Sequence, residues 1–126
     1  MDKNIIISGP AGSGKSSLAK QITENYSSSM TMIADNLIKA IQEEYWHVMK
    51  TLKYVDILIV DECRINDIQF FLVHLGSRRP GFIVVYLTQG DISEGEYGDR
   101  YHVIRLNSPG SPRTPKSENN QKDKNL

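Results

Sequence analysis

Apolar and polar positions alternate in blocks along this chain, and the blocks predict strands separated by helices. Asn4-Ile5-Ile6-Ile7-Ser8 is a β-branched apolar run closed by Gly9-Pro10. Such a run predicts a strand buried on both faces rather than a half-exposed one. From Lys15 the period becomes helical, with Leu18, Ala19 and Ile22 on one side, and it fades by Tyr26-Ser27-Ser28-Ser29. Met30 to Ile33 predicts a short strand. Asp35 offers an N-cap, and Leu37, Ile41, Tyr45, Val48 and Leu52 follow at steps of three and four, with Ile38 and Met49 widening the face. The expectation is one long amphipathic helix, with Trp46 packed against the sheet.

Val55 to Val60 is the strongest strand pattern, and it ends on Asp61-Glu62. Ile65, Ile68, Phe71, Leu72 and Leu75 trace a helix stopped by Gly76, with Pro80 beyond it. Phe82 to Leu87 predicts a further buried strand running into Thr88-Gln89-Gly90. A polar, acidic loop through Asp99 precedes a weaker strand from Tyr101 to Leu106. Strands alternating with helices imply parallel pairing with right-handed crossovers and helices on both faces. The expected fold is therefore α/β, a three-layer sandwich around a mostly parallel five-stranded sheet. Ligands in such sheets sit outside the carboxyl ends of the strands. Gly9, Asp61 and Thr88 all fall there.

Composition changes this picture little. Lysine plus arginine and aspartate plus glutamate number 15 each, so the chain as a whole is not a basic surface for nucleic acid. The single cysteine, Cys63, excludes a disulfide framework and argues against a cysteine-built zinc site; its place at a strand end predicts a core thiol. The N-terminal run is too short for a secretory signal or a membrane span, and a cytoplasmic location without membrane contact is expected. Residues 108–126 are rich in Pro, Ser, Asn and Lys, with no apolar residue before Leu126. That composition predicts a disordered tail behind a domain covering residues 1–107.

Gly9-Pro10-Ala11-Gly12-Ser13-Gly14-Lys15-Ser16 matches G-x-x-x-x-G-K-[ST] at every fixed position. With glycine near 7% of residues, a chance match in a chain of this length arises well under ~1% of the time. Glycines permit positive φ and close approach of backbone to phosphate oxygens. Successive N–H groups then form an anion nest at a helix N-terminus. Lys15 suits the β- and γ-phosphates, the Ser16 hydroxyl suits a magnesium ion, and the Ser17 N–H suits an α-phosphate. Downstream, Asp61 is placed to hold the same Mg2+, and Glu62 to orient an attacking water.

The phosphate loop and the strand Ile57 to Glu62 resemble those of P-loop ATPases with an added catalytic glutamate, the division that includes AAA+ and RecA-like proteins. The resemblance spans residues 4 to about 106, although its sharp motifs fill only two short stretches. It implies a five-stranded core in the order 5-1-4-3-2, bound ATP and Mg2+, and a first sensor at Thr88 or Gln89. It also implies an arginine finger, for which Arg100, Arg78 and Arg79 are the candidates. The helical lid that AAA+ modules carry after the fifth strand has no counterpart, which implies surfaces completed by a protein partner or by oligomerisation.

Three functions stay open on the sequence. The first is a Mg2+-dependent ATPase coupled to a protein or DNA partner. The second is a small-molecule kinase: Val60-Asp61-Glu62 followed by Gln69-Phe70-Phe71 resembles the D-E-x-Q-F of thymidine kinases, with a different gap. The third is a nucleotide-binding subunit that does not hydrolyse. A GTPase is disfavoured because no N-K-x-D follows a strand.

Overall fold

A computed structural model describes residues 4–75, 81–90, 92 and 97–106. The elements in chain order are β1 (Asn4–Ser8), α1 (Lys15–Thr23), β2 (Ser29–Ile33), α2 (Ala34–Gln42), α3 (Trp46–Leu52), β3 (Ile57–Asp61), α4 (Ile65–Leu75), β4 (Ile83–Thr88) and β5 (Tyr101–Arg105). The strands form one five-stranded sheet in the order β2-β3-β4-β1-β5. That is the expected order, 5-1-4-3-2, read from its other edge. Every pairing is parallel, with Ile6 opposite Tyr86 and Val103, and Val60 opposite Tyr86 and Met32.

The buried-strand prediction holds most fully in the centre. All six residues of β4 are buried, as are the first four of β3. Successive side chains leave a strand on opposite faces, so β1, β3, β4 and β5 each feed two cores, while β2 feeds one. Ile6, Leu58, Val60, Val84 and Tyr86 pack with Leu37, Leu52, Ile68, Phe71 and Leu75 from α2, α3 and α4. On the other face Ile7, Ile57, Ile59, Val85 and Leu87 pack with Ala19 of α1. At about 1.5–3 kcal/mol for each large apolar side chain removed from water, these layers hold the strand ends in fixed relation.

The single long helix expected after Asp35 is two helices. Glu43 ends α2, and Glu44 takes a left-handed conformation at φ 55. The Tyr45 N–H donates to the Ala40 carbonyl at 2.9 Å and the Glu44 N–H to the Ile41 carbonyl at 3.3 Å. This pair of bonds is a Schellman cap, built on glutamate where glycine is usual. Leu52 is buried and Val48 and Met49 pack on the core, but Trp46 is 60% exposed and does not pack against the sheet as expected. Asp35 is not the N-cap either. The chain passes directly from β2 into α2, Ile33 occupies the cap position, and Asp35 lies in the first turn.

Among the described residues no helix is long and apolar enough to cross a membrane. The expected helix stop at Gly76 and Pro80, most of the acidic loop before Asp99, and the tail at 108–126 lie outside the described residues.

Candidate nucleotide site

The loop between β1 and α1 is fixed to the sheet at its root. The Gly9 N–H donates to the Thr88 carbonyl at 3.1 Å, and Ser8 Oγ donates to the Gly90 carbonyl at 2.6 Å. A Cβ on Gly9 would lie 2.6 Å from Ser13 Oγ and 3.0 Å from the Leu106 carbonyl oxygen, so a larger residue must displace the hydroxyl and press on the Leu106 backbone. Gly12 and Gly14 have φ of 78° and 98°, the left-handed region that glycine enters without steric cost. Gly14 is also the N-cap of α1, and no side chain caps the helix. The N–H groups of that first turn therefore make the positive end of the helix an anion-binding feature. The Lys15 ammonium folds back on the loop, donating to the Gly9 carbonyl at 2.6 Å and the Pro10 carbonyl at 2.9 Å.

The acidic pair follows from β3. Asp61, its last residue, is half-buried and accepts the Glu62 N–H on Oδ1 at 2.8 Å. Glu62 is exposed and sits at φ 53, a conformation costly for a residue with a Cβ. The chain is pinned at once beyond it, because the Cys63 N–H donates to the Leu87 carbonyl of β4 at 2.9 Å. Cys63 itself is 3% exposed, and burial, aided by Asp67 and opposed by Arg64, pushes its thiol up to about 12. It is the core thiol its position predicts.

Thr88 ends β4 and is 1% exposed, its Oγ1 accepting the Gly90 N–H at 3.2 Å. Gln89 beside it is exposed. A cleft of about 1110 Å³ gathers these parts, lined by Gly12, Gly14, Lys15, Ser16, Ser17, Asp61, Glu62, Thr88 and Gln89. Of the residues expected at the site, Gly9, Pro10, Ala11 and Ser13 do not line it. Gly9 and Pro10 serve it indirectly by holding Lys15. A smaller cavity of about 380 Å³ adjoins along α1 and β2 and shares Ser16 and Asp61 with the cleft.

The family resemblance puts an arginine at Arg100, Arg78 or Arg79. Arg100 is exposed and does not line the cleft, and Arg78 and Arg79 lie outside the described residues. Among the described residues the arginine that lines it is Arg64, two residues beyond Glu62. Its guanidinium contacts Asp35 at 2.6 Å and Asp67 at 2.9 Å. Gly90 lines the cleft as well, and a Cβ there would meet Ile65 Cδ1 at 2.4 Å. The only sequence signal for either was adjacency to a motif.

A parallel sheet in this order, with a glycine loop capping α1 and acidic and polar residues on neighbouring strand ends, defines a P-loop NTPase core of the nucleotide-binding ATPase type. More narrowly, residues 5–79 match the viral superfamily 1 RNA helicase core domain, and the chain belongs to that family. The fold is similar to that of the replication initiator DnaA bound to AMPPCP and single-stranded DNA, with a TM-score of 0.53 and 16% identity. It is similar to the same degree, TM-score 0.53 and 17% identity, to a DNA replication initiation factor. Each likeness covers 82% of this chain and 40% of the other. No curated protein matches the chain. The expected P-loop NTPase core is thus met at the level of the fold.

Proposed function

We propose that this chain is a Mg2+-dependent ATPase that couples hydrolysis to a single-stranded nucleic acid. One observation carries the reading: Lys15, Ser16, Asp61, Glu62, Thr88 and Gln89, supplied by three neighbouring strand ends, line one cleft. In this reading the phosphates lie on the first turn of α1. Lys15 exchanges two carbonyl partners for phosphate oxygens, which the flexible four-carbon stem allows. Glu62 orients a water for in-line attack on the γ-phosphorus and takes up its proton, and Thr88 and Gln89 wall the far side. ATP is preferred because no guanine-reading N-K-x-D follows a strand.

The oxygen donors fit magnesium. Ser16 and Asp61 are hard ligands lining the same two cavities, and no group of three His, Cys, Asp or Glu side chains gathers among the described residues. Such a sparse protein shell suits an ion that keeps waters and takes phosphate oxygens as its other ligands. Bound there, the ion would neutralise charge developing on the phosphate oxygens.

Support for a nucleic-acid partner comes from α3 and its flanks. Tyr45, Trp46 and Tyr54 are exposed by 45%, 60% and 71%, and Lys50 Nζ lies 5.4 Å from the Trp46 ring centroid. Exposed rings beside a cation suit stacked bases and a phosphate backbone. The decisive experiment measures Mg2+-dependent phosphate release, with and without single-stranded DNA or RNA, for wild type, Lys15→Ala and Glu62→Gln. Lys15→Ala should lose nucleotide affinity, and Glu62→Gln should bind nucleotide but not turn it over. Normal hydrolysis by Glu62→Gln would refute the role of Glu62. Phosphate transfer to a nucleoside in place of release would make the chain a kinase.

A further inference from the structure

We propose that Arg64 is a positioning residue for hydrolysis, a clamp that holds the Glu62 loop by joining the N-termini of α4 and α2. The inference rests on the ATPase reading for what Glu62 does, but its geometry stands apart from that reading. Arg64 immediately precedes α4. Its backbone N–H donates to Asp67 Oδ2 at 3.3 Å, and the Asp67 N–H donates to the Arg64 carbonyl at 2.9 Å. Asp67 is the third residue of the helix, so this is the carboxylate half of a capping box. The Arg64 side chain then extends the cap. Nε donates to the same Asp67 oxygen at 2.9 Å, and Nη2 donates to Asp35 Oδ1 at 2.6 Å.

Asp35 is the second residue of α2, which leaves β2 at the same end of the sheet. The segment from Glu62 to Arg64 is therefore held at three points: the Asp61 carboxylate on the Glu62 N–H, the Leu87 carbonyl on the Cys63 N–H, and the Arg64 bridge. The Asp67 cap on the Arg64 backbone ties the segment to α4 as well. Among the described residues, the Arg64–Asp35 bridge is what ties it to α2. Glu62 sits within this span at φ 53, where a residue with a Cβ stays only if its surroundings hold it.

Magnitudes separate positioning from stability. The guanidinium is 62% exposed and Asp35 70% exposed, and an exposed pair of this kind adds little to folding. Catalytic geometry is less forgiving: a misplacement near 1 Å costs on the order of 10²-fold in rate. Removing the bridge should therefore act on kcat far more than on thermal stability.

The test uses the full chain as wild type, Arg64→Ala, Asp35→Ala and the double variant Arg64→Ala/Asp35→Ala. Two readouts are needed: steady-state ATP hydrolysis, and amide hydrogen exchange of the segment spanning Glu62 to Arg64. Both single variants should lower kcat about 10- to 100-fold, with KM for ATP within about twofold and the melting temperature nearly unchanged. Both should speed exchange of the segment, and the double variant should be little worse than Arg64→Ala alone, as expected of two partners in one bond. Loss of kcat in Arg64→Ala without loss in Asp35→Ala would overturn the clamp, since Arg64 would then act on the nucleotide directly. Unchanged exchange in both single variants would overturn it as well. If the wild type shows no turnover, the ATPase reading falls, and the exchange measurement still decides whether the clamp exists.

Discussion

Stability should fall steeply in alkali, and the first proton responsible should be that of Cys63. The thiol is 3% exposed, and burial lifts its pKa from an ordinary 9.0 to about 12. The sign follows from which state keeps the proton. Below pH 9.0 the thiol is protonated in both states and stability does not depend on it. Above that value the unfolded chain releases the proton while the folded chain retains it, so rising pH favours unfolding. The slope for one such proton is about 1.4 kcal/mol per pH unit. Carried across the whole gap, the loss reaches roughly 4 kcal/mol by pH 12, a large part of the 5–15 kcal/mol or so that holds a typical domain.

Two neighbours share the effect at higher pH. Burial also raises Tyr86 and Tyr101 above their ordinary 10.0, and their rings stand 6.1 Å apart. Between about pH 9 and 10 Cys63 therefore titrates first of the three. The assay is urea unfolding followed by far-ultraviolet circular dichroism across this range, for wild type and Cys63→Ala. The wild-type advantage should shrink by about 1 kcal/mol over that unit, since the unfolded thiol is already half ionised at its ordinary 9.0. Parallel curves for the two proteins would refute the argument, because the thiol would then titrate alike in both states.

Three further outcomes follow from individual positions. Glu44→Gly should stabilise the fold by about 0.5–1 kcal/mol, since glycine relieves the left-handed strain at φ 55, and a higher urea midpoint would register it. Gly9→Ala should cost about 1–3 kcal/mol. Ser13 Oγ can rotate away from the new methyl, but the Leu106 backbone is held by its N–H bond to the Ser8 carbonyl at 2.7 Å; calorimetry would show the lowered melting temperature. Trp46→Ala should leave the melting temperature nearly unchanged, as the ring is 60% exposed, while reducing stimulation of hydrolysis by single-stranded nucleic acid about tenfold.

The strands were legible because a parallel sheet covered on both faces demands continuous apolar runs, and β3 and β4 have them. The helix break at Glu43–Tyr45 was hidden for a definite reason. Sequence reading finds helix ends through glycine, since glycine alone enters the left-handed region freely, and this Schellman cap is built on Glu44. The apolar spacing from Leu37 to Leu52 even survives the break, because α2 and α3 both face the same core. Trp46 stands about 120° from the centre of that apolar face at 100° per residue, so it meets solvent with or without the break.

The site divides along a similar line. Gly12, Gly14, Lys15 and Ser16 were readable because phosphate binding fixes a local backbone shape, and a local shape leaves a spacing in the sequence. Asp61 and Glu62 needed one more step, since an acidic pair at a strand end means little until topology brings it beside the loop. Thr88 and Gln89 needed the strand order as well. Arg64 lay beyond any of these signals, because its partner Asp35 is 29 residues away and on another helix. No spacing rule links an arginine after one strand to an aspartate after another. Only the parallel register of β2 with β3, which sets Ile33 opposite Asp61, places the two segments side by side. Contributions made across strands are therefore where an arginine should be sought in such a core. Among the described residues of this one, the arginine lining the cleft stands two residues past Glu62.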